Sequence, residues 1–460
     1  MTSEALRAAT ATMREAGVDD LAVRVFERFH RQLEDDVTGT IPEATVEPLT
    51  EVRALGDVHP GEDAVREALA RTVVVKLNGG LGTSMGVSGP KSALEVRDGL
   101  TFLDVIARQV LALRERHGVT VPLLLMDSFR TSERSLEILR AHPGLEVDGL
   151  PLDFLQSKEP KLRADDLTPV RWPQDPELEW CPPGHGDVYV ALQTSGVLGT
   201  LRERGFRYLF LSNADNLGAT CDGVIPAWMA AEGVPYLAEV CRRTANDRKG
   251  GHLVLRRSDG RLVLRDSAMV EPGEEDAFQD VERHPYFHTN NLWVDIDALT
   301  ARLAESDGVL GLPIIVNRKT VDPTDPASTP VIQVESAMGA AIETFEGARA
   351  VEVDRSRFHP VKTTNELLLV RSDLYRLAGD GHVEAVTDRE EPFVDLSSPY
   401  RLVDGFEERF AHGVPSMREC TSLRVEGDTS FGAGVVCVGD VVVGPDVGAV
   451  PDGARLGGDV

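Results

Sequence analysis

Lysine is scarce in this chain. Of 48 basic residues among 460, only Lys76, Lys91, Lys158, Lys161, Lys249, Lys319 and Lys362 are lysines, and the remaining 41 are arginines. A chain that uses arginine almost everywhere marks its few lysines as places where a compact, flexible ammonium is wanted rather than a planar fork. Cysteine is also sparse: Cys181, Cys221, Cys241, Cys420 and Cys437 are odd in number and widely spaced. That spacing excludes a disulfide framework and a zinc-finger type of site. No apolar run approaches the roughly 18 residues of a membrane span. The segment Met1 to Arg14 lacks the apolar centre of a signal peptide, so a cytoplasmic location is expected. Positive charge is short overall, with a net charge of -27. Such a surface argues against nucleic-acid and membrane partners. A phosphorylated substrate must then be held by a few local cations and backbone N–H groups.

What is present is enough for a large core. With 42% hydrophobic residues, the length predicts two or three domains. Residues 1 to 70 read as a polar helical segment, and Ile41 to Pro48 as a linker or strap. The β-branched run Thr72 to Leu77 reads as a buried strand. Thr101-x-x-Asp104 is a capping-box variant opening a helix that places Phe102, Leu103, Ile106, Val110 and Leu113 on one face. Pro122 to Met126 and Tyr208 to Leu211 read as further strands, with a helix over Glu133 to Arg140 between them. Ser258-Asp-Gly260 reads as the turn of a hairpin. The β-α-β succession predicts an α/β fold: a Rossmann-like, mainly parallel sheet with helices on both faces. From Leu423 to Leu456, Val-rich pieces broken by glycines every five or six residues predict coils of a parallel β-helix. The expected division is 1–70 helical segment, 71–385 catalytic unit and 386–460 β-helix-like unit.

After the first predicted strand comes Leu77-Asn-Gly-Gly-Leu-Gly-Thr-Ser-Met-Gly86, then Val87-Ser-Gly-Pro-Lys91. Gly79, Gly80 and Gly82 can take φ > 0 and leave room for close backbone approach, so their N–H groups can cradle phosphate. The glycine spacing is not that of a dinucleotide fingerprint, and Pro90 before Lys91 breaks a Walker A loop. Ser212-Asn-Ala-Asp-Asn216 falls where the Tyr208 strand ends, the edge at which open α/β sheets bind ligands. Beside a phosphate loop, Asp215 reads as a ligand for a hard cation.

These segments, taken together, closely resemble the eukaryotic-type UTP–glucose-1-phosphate uridylyltransferases. The likeness also runs through Gly89-Pro-Lys-Ser92, Leu125-Met-Asp-Ser-Phe129, Gln156-Ser157, Pro182-Pro-Gly-His-Gly-Asp187 and Lys249-Gly-Gly251. It continues through Thr289-Asn-Asn-Leu-Trp293, Ile314-Ile-Val-Asn317, Arg355-Ser-Arg-Phe358 and Pro360-Val-Lys-Thr-Thr364. The order is collinear over about residues 70 to 380. Two departures stand out: Ala214 where the family often has Ile, and Asp127 in place of a common Asn.

The resemblance implies a nucleotidyltransferase that makes UDP-glucose and pyrophosphate from UTP and glucose 1-phosphate. Leu77, Asn78, Gly79 and Gly80 would line the uridine and phosphate side, Lys91 would reach the UTP phosphates, and Gln156 with Gly184 would face the uracil. His185, Asn213 and Asn290 match positions around glucose 1-phosphate. Asp215 matches a Mg²⁺ ligand that also faces UTP, and Lys362 a catalytic lysine reaching the nucleotide. The chemistry would need no general base, because the attacking phosphate oxygen is already anionic, and is chiefly orientation and charge neutralisation. Alternatives within the fold are a UDP-sugar or UDP-N-acetylhexosamine pyrophosphorylase, or a non-catalytic sensor of sugar or nucleotide. The tail, shorter than in many eukaryotic members, predicts a monomer or small homo-oligomer.

Overall fold

The computed structural model describes residues 3–82, 85–87, 89–244, 247 and 250–460. Thr83, Ser84, Ser88 and Lys249, which belong to the motifs above, lie outside the described residues.

A seven-stranded sheet forms the centre. In chain order its strands are β1 (Thr72–Asn78), β2 (Leu123–Asp127), β3 (Asp153–Leu155), β4 (Tyr208–Asn213), β5 (Tyr236–Arg242), β6 (Tyr286–Asp295) and β7 (Arg349–Glu352). They lie in the spatial order β7-β5-β6-β4-β1-β2-β3. All pairs are parallel except those of β6, which runs antiparallel to both β5 and β4. Every residue of β1 is buried, as expected of a central strand covered on both faces.

Alternation along β1 splits the core in two. Val74 packs with Phe102, Ile106, Ile225, Trp228 and Leu367 on one face. Val73, Val75 and Leu77 pack with Val188, Leu192, Leu201, Leu299 and Leu303 on the other. Helices therefore cover both faces. The helix Phe102–His117 begins on a complete Thr101–Asp104 capping box and stops at Gly118 (φ 61°), where only glycine is at ease left-handed. Its buried face includes Phe102, Leu103, Ile106 and Val110, each worth about 1.5–3 kcal/mol against exposure.

The N-terminal helices Glu4–Glu15 and Asp20–Glu34 place Met13, Val23, Phe26 and Phe29 against Leu162, Ile332 and Val334 of a separate antiparallel sheet. The strap after them contributes a strand: Val46–Pro48 pairs with His252–Arg256, itself hairpinned to Leu262–Arg265. In the tail, Phe393–Leu396, Ser416–Val425, Val436–Val443 and Arg455–Asp459 pair parallel in that order. A second parallel pair joins Ser430–Phe431 to Ala449–Val450. Register partners among Ser416–Val425, Val436–Val443 and Arg455–Asp459 lie 17 to 20 residues apart, as with Leu423 and Val441 or Val436 and Arg455, whereas Phe393 and Ser422 are 29 apart. All five cysteines are free thiols, and Cys420 and Cys437 are both buried in the core of the tail.

Candidate functional site

The carboxyl ends of the parallel strands form one edge. Asn78 at the end of β1 stands beside Asp127 at the end of β2, and Asp127 beside Leu155 of β3. On the other flank, Asn213 of β4 stands beside Leu77. The glycine-rich turn leaves this edge and is drawn closed by an antiparallel bridge between Leu81 and Pro90, which returns the chain at Lys91.

The glycines of the turn do something other than expected. None of Gly79, Gly80 or Gly82 adopts positive φ; Gly86 does, at 76°. Close approach is what Gly79 and Gly82 provide. A Cβ on Gly79 would lie 2.5 Å from Gln156 Nε2, and one on Gly82 would lie 2.6 Å from Val87 Cβ. A Cβ on Gly80 would meet open space. Leu77 sends its side chain into the core. Asn78 is likewise turned inward: its amide donates to Asp127 Oδ1 and Ser135 Oγ, each at 2.7 Å, and its Oδ1 accepts from Ser92 Oγ. Leu77 and Asn78 can therefore offer a ligand only their backbone.

Lys91 Nζ donates to Asp215 Oδ2 at 2.7 Å. The other carboxylate oxygen, Asp215 Oδ1, is buried with no partner. The segment carrying Lys362 is pinned to the same turn. Val361 N donates to the Asp215 carbonyl at 3.0 Å, and His359 N to Asn216 Oδ1 at 2.8 Å. Gly218 admits this segment, since a Cβ there would sit 2.5 Å from the Ser356 carbonyl.

Gly184 (φ 79°) presses on Glu335 and Ser336, and Gly186 N donates to the Ser336 carbonyl at 2.8 Å. This clamp fixes His185 between them. Its Nδ1 accepts from Met338 N at 2.9 Å, so the neutral ring carries its proton on Nε2. Burial lowers its pKa, Asp266 opposes that, and Lys362 is near enough to add to it. Asp187 is buried, accepts from Ser157 N at 2.5 Å, and has its pKa pushed up to about 7 by burial. It ties the Gln156 segment to the His185 segment.

On β6, Asn290 takes φ 58°, a left-handed conformation that Asn tolerates better than most residues. It marks a bulge: Ala238 pairs with Leu292 but Val240 with His288. Beneath it, the fully buried Glu239 accepts from Asn291 Nδ2, Trp293 Nε1 and the Arg357 guanidinium. This network braces both the bulge and the segment leading to Lys362. It was not anticipated from sequence; the only signal was the polar pair Asn290-Asn291 inside an apolar strand.

Among the described residues, the side chains of Gln156, Asn213, Asn290 and Lys362 have no hydrogen-bond partner, and neither have His185 Nε2 and Asp215 Oδ1. Polar groups left uncommitted on a structured edge are available to a ligand. The other described lysines are engaged elsewhere. Lys76 is buried and donates to Ser212 Oγ and the Ala219 carbonyl, with burial lowering its pKa to about 7. Lys161 is buried against the Val321 carbonyl, Lys158 stands over Trp180, and Lys319 donates to Gln333.

A family model described as UTP–glucose-1-phosphate uridylyltransferase matches residues 23–437. The chain belongs to the UTP–glucose-1-phosphate uridylyltransferase family. A uridylyltransferase of that name from Hordeum vulgare is 42% identical over 401 residues, covering 86% of this chain and 82% of the relative. The one from Saccharomyces cerevisiae is 41% identical over 377 residues, 82% of this chain and 74% of its own. The structure superposes on a UDP-glucose phosphorylase from Trypanosoma brucei with TM-score 0.94 at 42% identity, covering 100% of this chain and 99% of that one. It superposes on a UDP-glucose pyrophosphorylase variant from Leishmania major in complex with UDP-glucose with TM-score 0.93 at 41% identity, covering all of both chains. Among the described residues, no helix is long and apolar enough to cross a membrane.

Proposed function

We propose that this uridylyltransferase-family protein joins UTP to glucose 1-phosphate, giving UDP-glucose and pyrophosphate, on the edge built around Lys91, Asp215 and Lys362. The observation that carries the reading is the set of uncommitted polar groups gathered on that edge. A phosphate oxygen of glucose 1-phosphate attacks the α-phosphorus of UTP; a new P–O bond forms, the α–β bridge breaks, and pyrophosphate leaves with the electron pair. Neither nucleophile nor leaving group needs a proton moved, so the protein's work is to hold two anions in line.

Gln156 and Gly184 face the uracil, and the backbone of Leu77, Asn78, Gly79 and Gly80 follows the ribose and phosphates. Lys91 neutralises the UTP phosphates. His185, through its Nε2–H, and the amides of Asn213 and Asn290 hold glucose 1-phosphate. Lys362 stands between the reacting phosphates, where a mobile point charge serves better than a fork. Asp215 fits a magnesium ion: its Oδ1 is buried without a partner, and no cluster of three metal-ligating side chains surrounds it among the described residues. A single protein carboxylate suits an ion that takes its remaining ligands from substrate phosphates and water. When bound, Mg²⁺ supplies Lewis-acid neutralisation of phosphate charge.

The three-part division at residues 70 and 385, a β-helical character for the tail and a cytoplasmic location belong to the same reading. The parallel strands that recur every 17 to 20 residues from Ser416 onward support the second of these. The test is pyrophosphate release from UTP with a panel of sugar 1-phosphates. Glucose 1-phosphate is expected to be used best; a clear preference for N-acetylglucosamine 1-phosphate, or no turnover with any sugar, overturns it.

A further inference from the structure

Asp127 lies at the end of β2 and is completely buried. Its backbone carbonyl accepts from Gln156 N at 2.8 Å. Its Oδ1 accepts from Asn78 Nδ2 at 2.7 Å and from Thr131 Oγ1 at 2.8 Å. Asn78 in turn is held by Ser92, the neighbour of Lys91. One residue thus joins three segments assigned to the nucleotide: the Asn78-Gly79-Gly80 turn, the Lys91 segment and Gln156. Its second oxygen, Oδ2, is buried and has no partner among the described residues.

We propose that Asp127 is a positioning residue that holds the nucleotide site in its neutral form, so that binding of the nucleotide is linked to uptake of a proton by this carboxyl. The proposal rests on the assignment of the site made above. The physical ground is the meeting of two anions. A nucleotide laid along Asn78 to Gly80 brings negative charge toward a buried group one hydrogen bond away, and a like charge in a poorly solvated place favours protonation. The surroundings agree. Burial pushes the Asp127 pKa up to about 7, and Asp153 on β3 adds repulsion. Hydrogen bonds from Thr131, Asn78 and Ser135 pull the other way without cancelling it. From the glycine-rich side Asp127 is approached through Asn78 and Ser92, both neutral, because Lys91 turns away to Asp215.

UDP-glucose is the probe of choice, since its two bridged phosphates have no ionisation near neutral pH. Calorimetry of its binding, in two buffers of different ionisation enthalpy, counts protons. Wild-type protein is expected to take up a substantial fraction of a proton at pH 7.5, and its affinity should fall about tenfold from pH 6.5 to 8.5. Asp127→Asn keeps an accepting oxygen and the shape; its affinity should vary within about twofold over that range, with proton uptake reduced by the Asp127 share. Asp127→Ser gives the same comparison should the first variant not fold. Absence of proton uptake in wild type, or equal uptake in wild type and variant, overturns the proposal. Failure of wild type to bind UDP-glucose at all instead overturns the assignment of the site.

Discussion

Lys91 and Asp215 face each other at 2.7 Å across the mouth of the glycine-rich turn. Their side chains are 16% and 22% exposed. The pair joins the group proposed for the UTP phosphates to the one proposed for the metal, so each holds the other in place until a ligand takes over.

Each partner should then fail in its own way when replaced. Asp215→Asn is expected to keep the fold and lose turnover by a hundredfold or more, the loss of several kcal/mol of charge stabilisation. Lys91→Ala should chiefly weaken UTP binding. Steady-state kinetics with varied Mg²⁺ and UTP separates the two; near-normal Mg²⁺-dependent turnover in Asp215→Asn moves the metal site elsewhere.

Lys362 is exposed and uncommitted, so its replacement should cost chemistry rather than stability. Lys362→Ala is expected to lower kcat by about a hundredfold, the scale of losing one preorganised charge contact, while UTP affinity by calorimetry changes little. Lys362→Arg should restore part of the rate. Lys161 gives the contrast. It is buried on the Val321 carbonyl, so Lys161→Arg should lower stability by ~1–3 kcal/mol with kcat unchanged.

Glu239 is hydrogen-bonded to the Arg357 guanidinium, and Asp222 lies at 3.1 Å as a second charge partner. Glu239→Ala leaves a buried cation under-compensated and is expected to cost ~3–5 kcal/mol. In protein that still folds, the Asn290 bulge loses its brace, and the KM for glucose 1-phosphate should rise more than that for UTP.

His288, whose Nδ1 accepts from Asn290 N, is buried, with its pKa lowered to about 4 by burial. A histidine depressed in the folded state contributes stability that is present above its unfolded value, near 6.5, and lost as pH falls toward the folded value. Across that window roughly 3 kcal/mol should disappear from this group, with His252, also depressed by burial, adding to the loss. Denaturant melts from pH 7 to pH 4 test this. His288→Gln should be less stable at pH 7 and lose less over the window.

The short parallel stack of the tail is expected to leave the protein a monomer or dimer. Light scattering at micromolar concentration checks this, and a stable octamer overturns it.

Much of the edge could be read from sequence because its parts are local. A β-branched run before glycines, a capping box and an Asp after a strand each declare themselves within a few residues. Thr72–Asn78, Phe102–His117 and the Ser258 hairpin were legible for that reason. What escaped depends on partners far along the chain. The bulge at Asn290 is set by how β6 registers against β5, a strand remote from it in the chain. The strand at Val46–Pro48 exists only because a hairpin two hundred residues later is there to receive it. Lysine scarcity was informative but mixed two causes: Lys91 and Lys362 look outward, whereas Lys76 and Lys161 satisfy buried carbonyls. Both uses need a compact ammonium, and composition cannot separate them.

The reversed direction of β6 has an evolutionary side. A parallel strand delivers the loop that follows it to the carboxyl edge, where it must also lead into the next helix. Running the other way, β6 brings to that edge the connection that precedes it, residues 266 to 285, which carries a single 3-10 turn, Ser267–Met269, and one short α-helix, Glu275–Gln279. That connection, whose Asp266 lies near His185 of the proposed sugar site, can lengthen, shorten or change its side chains without altering any crossover of the sheet. A change in which sugar phosphate is accepted would meet the fewest constraints there, two strands away from the β1 edge proposed to hold the nucleotide.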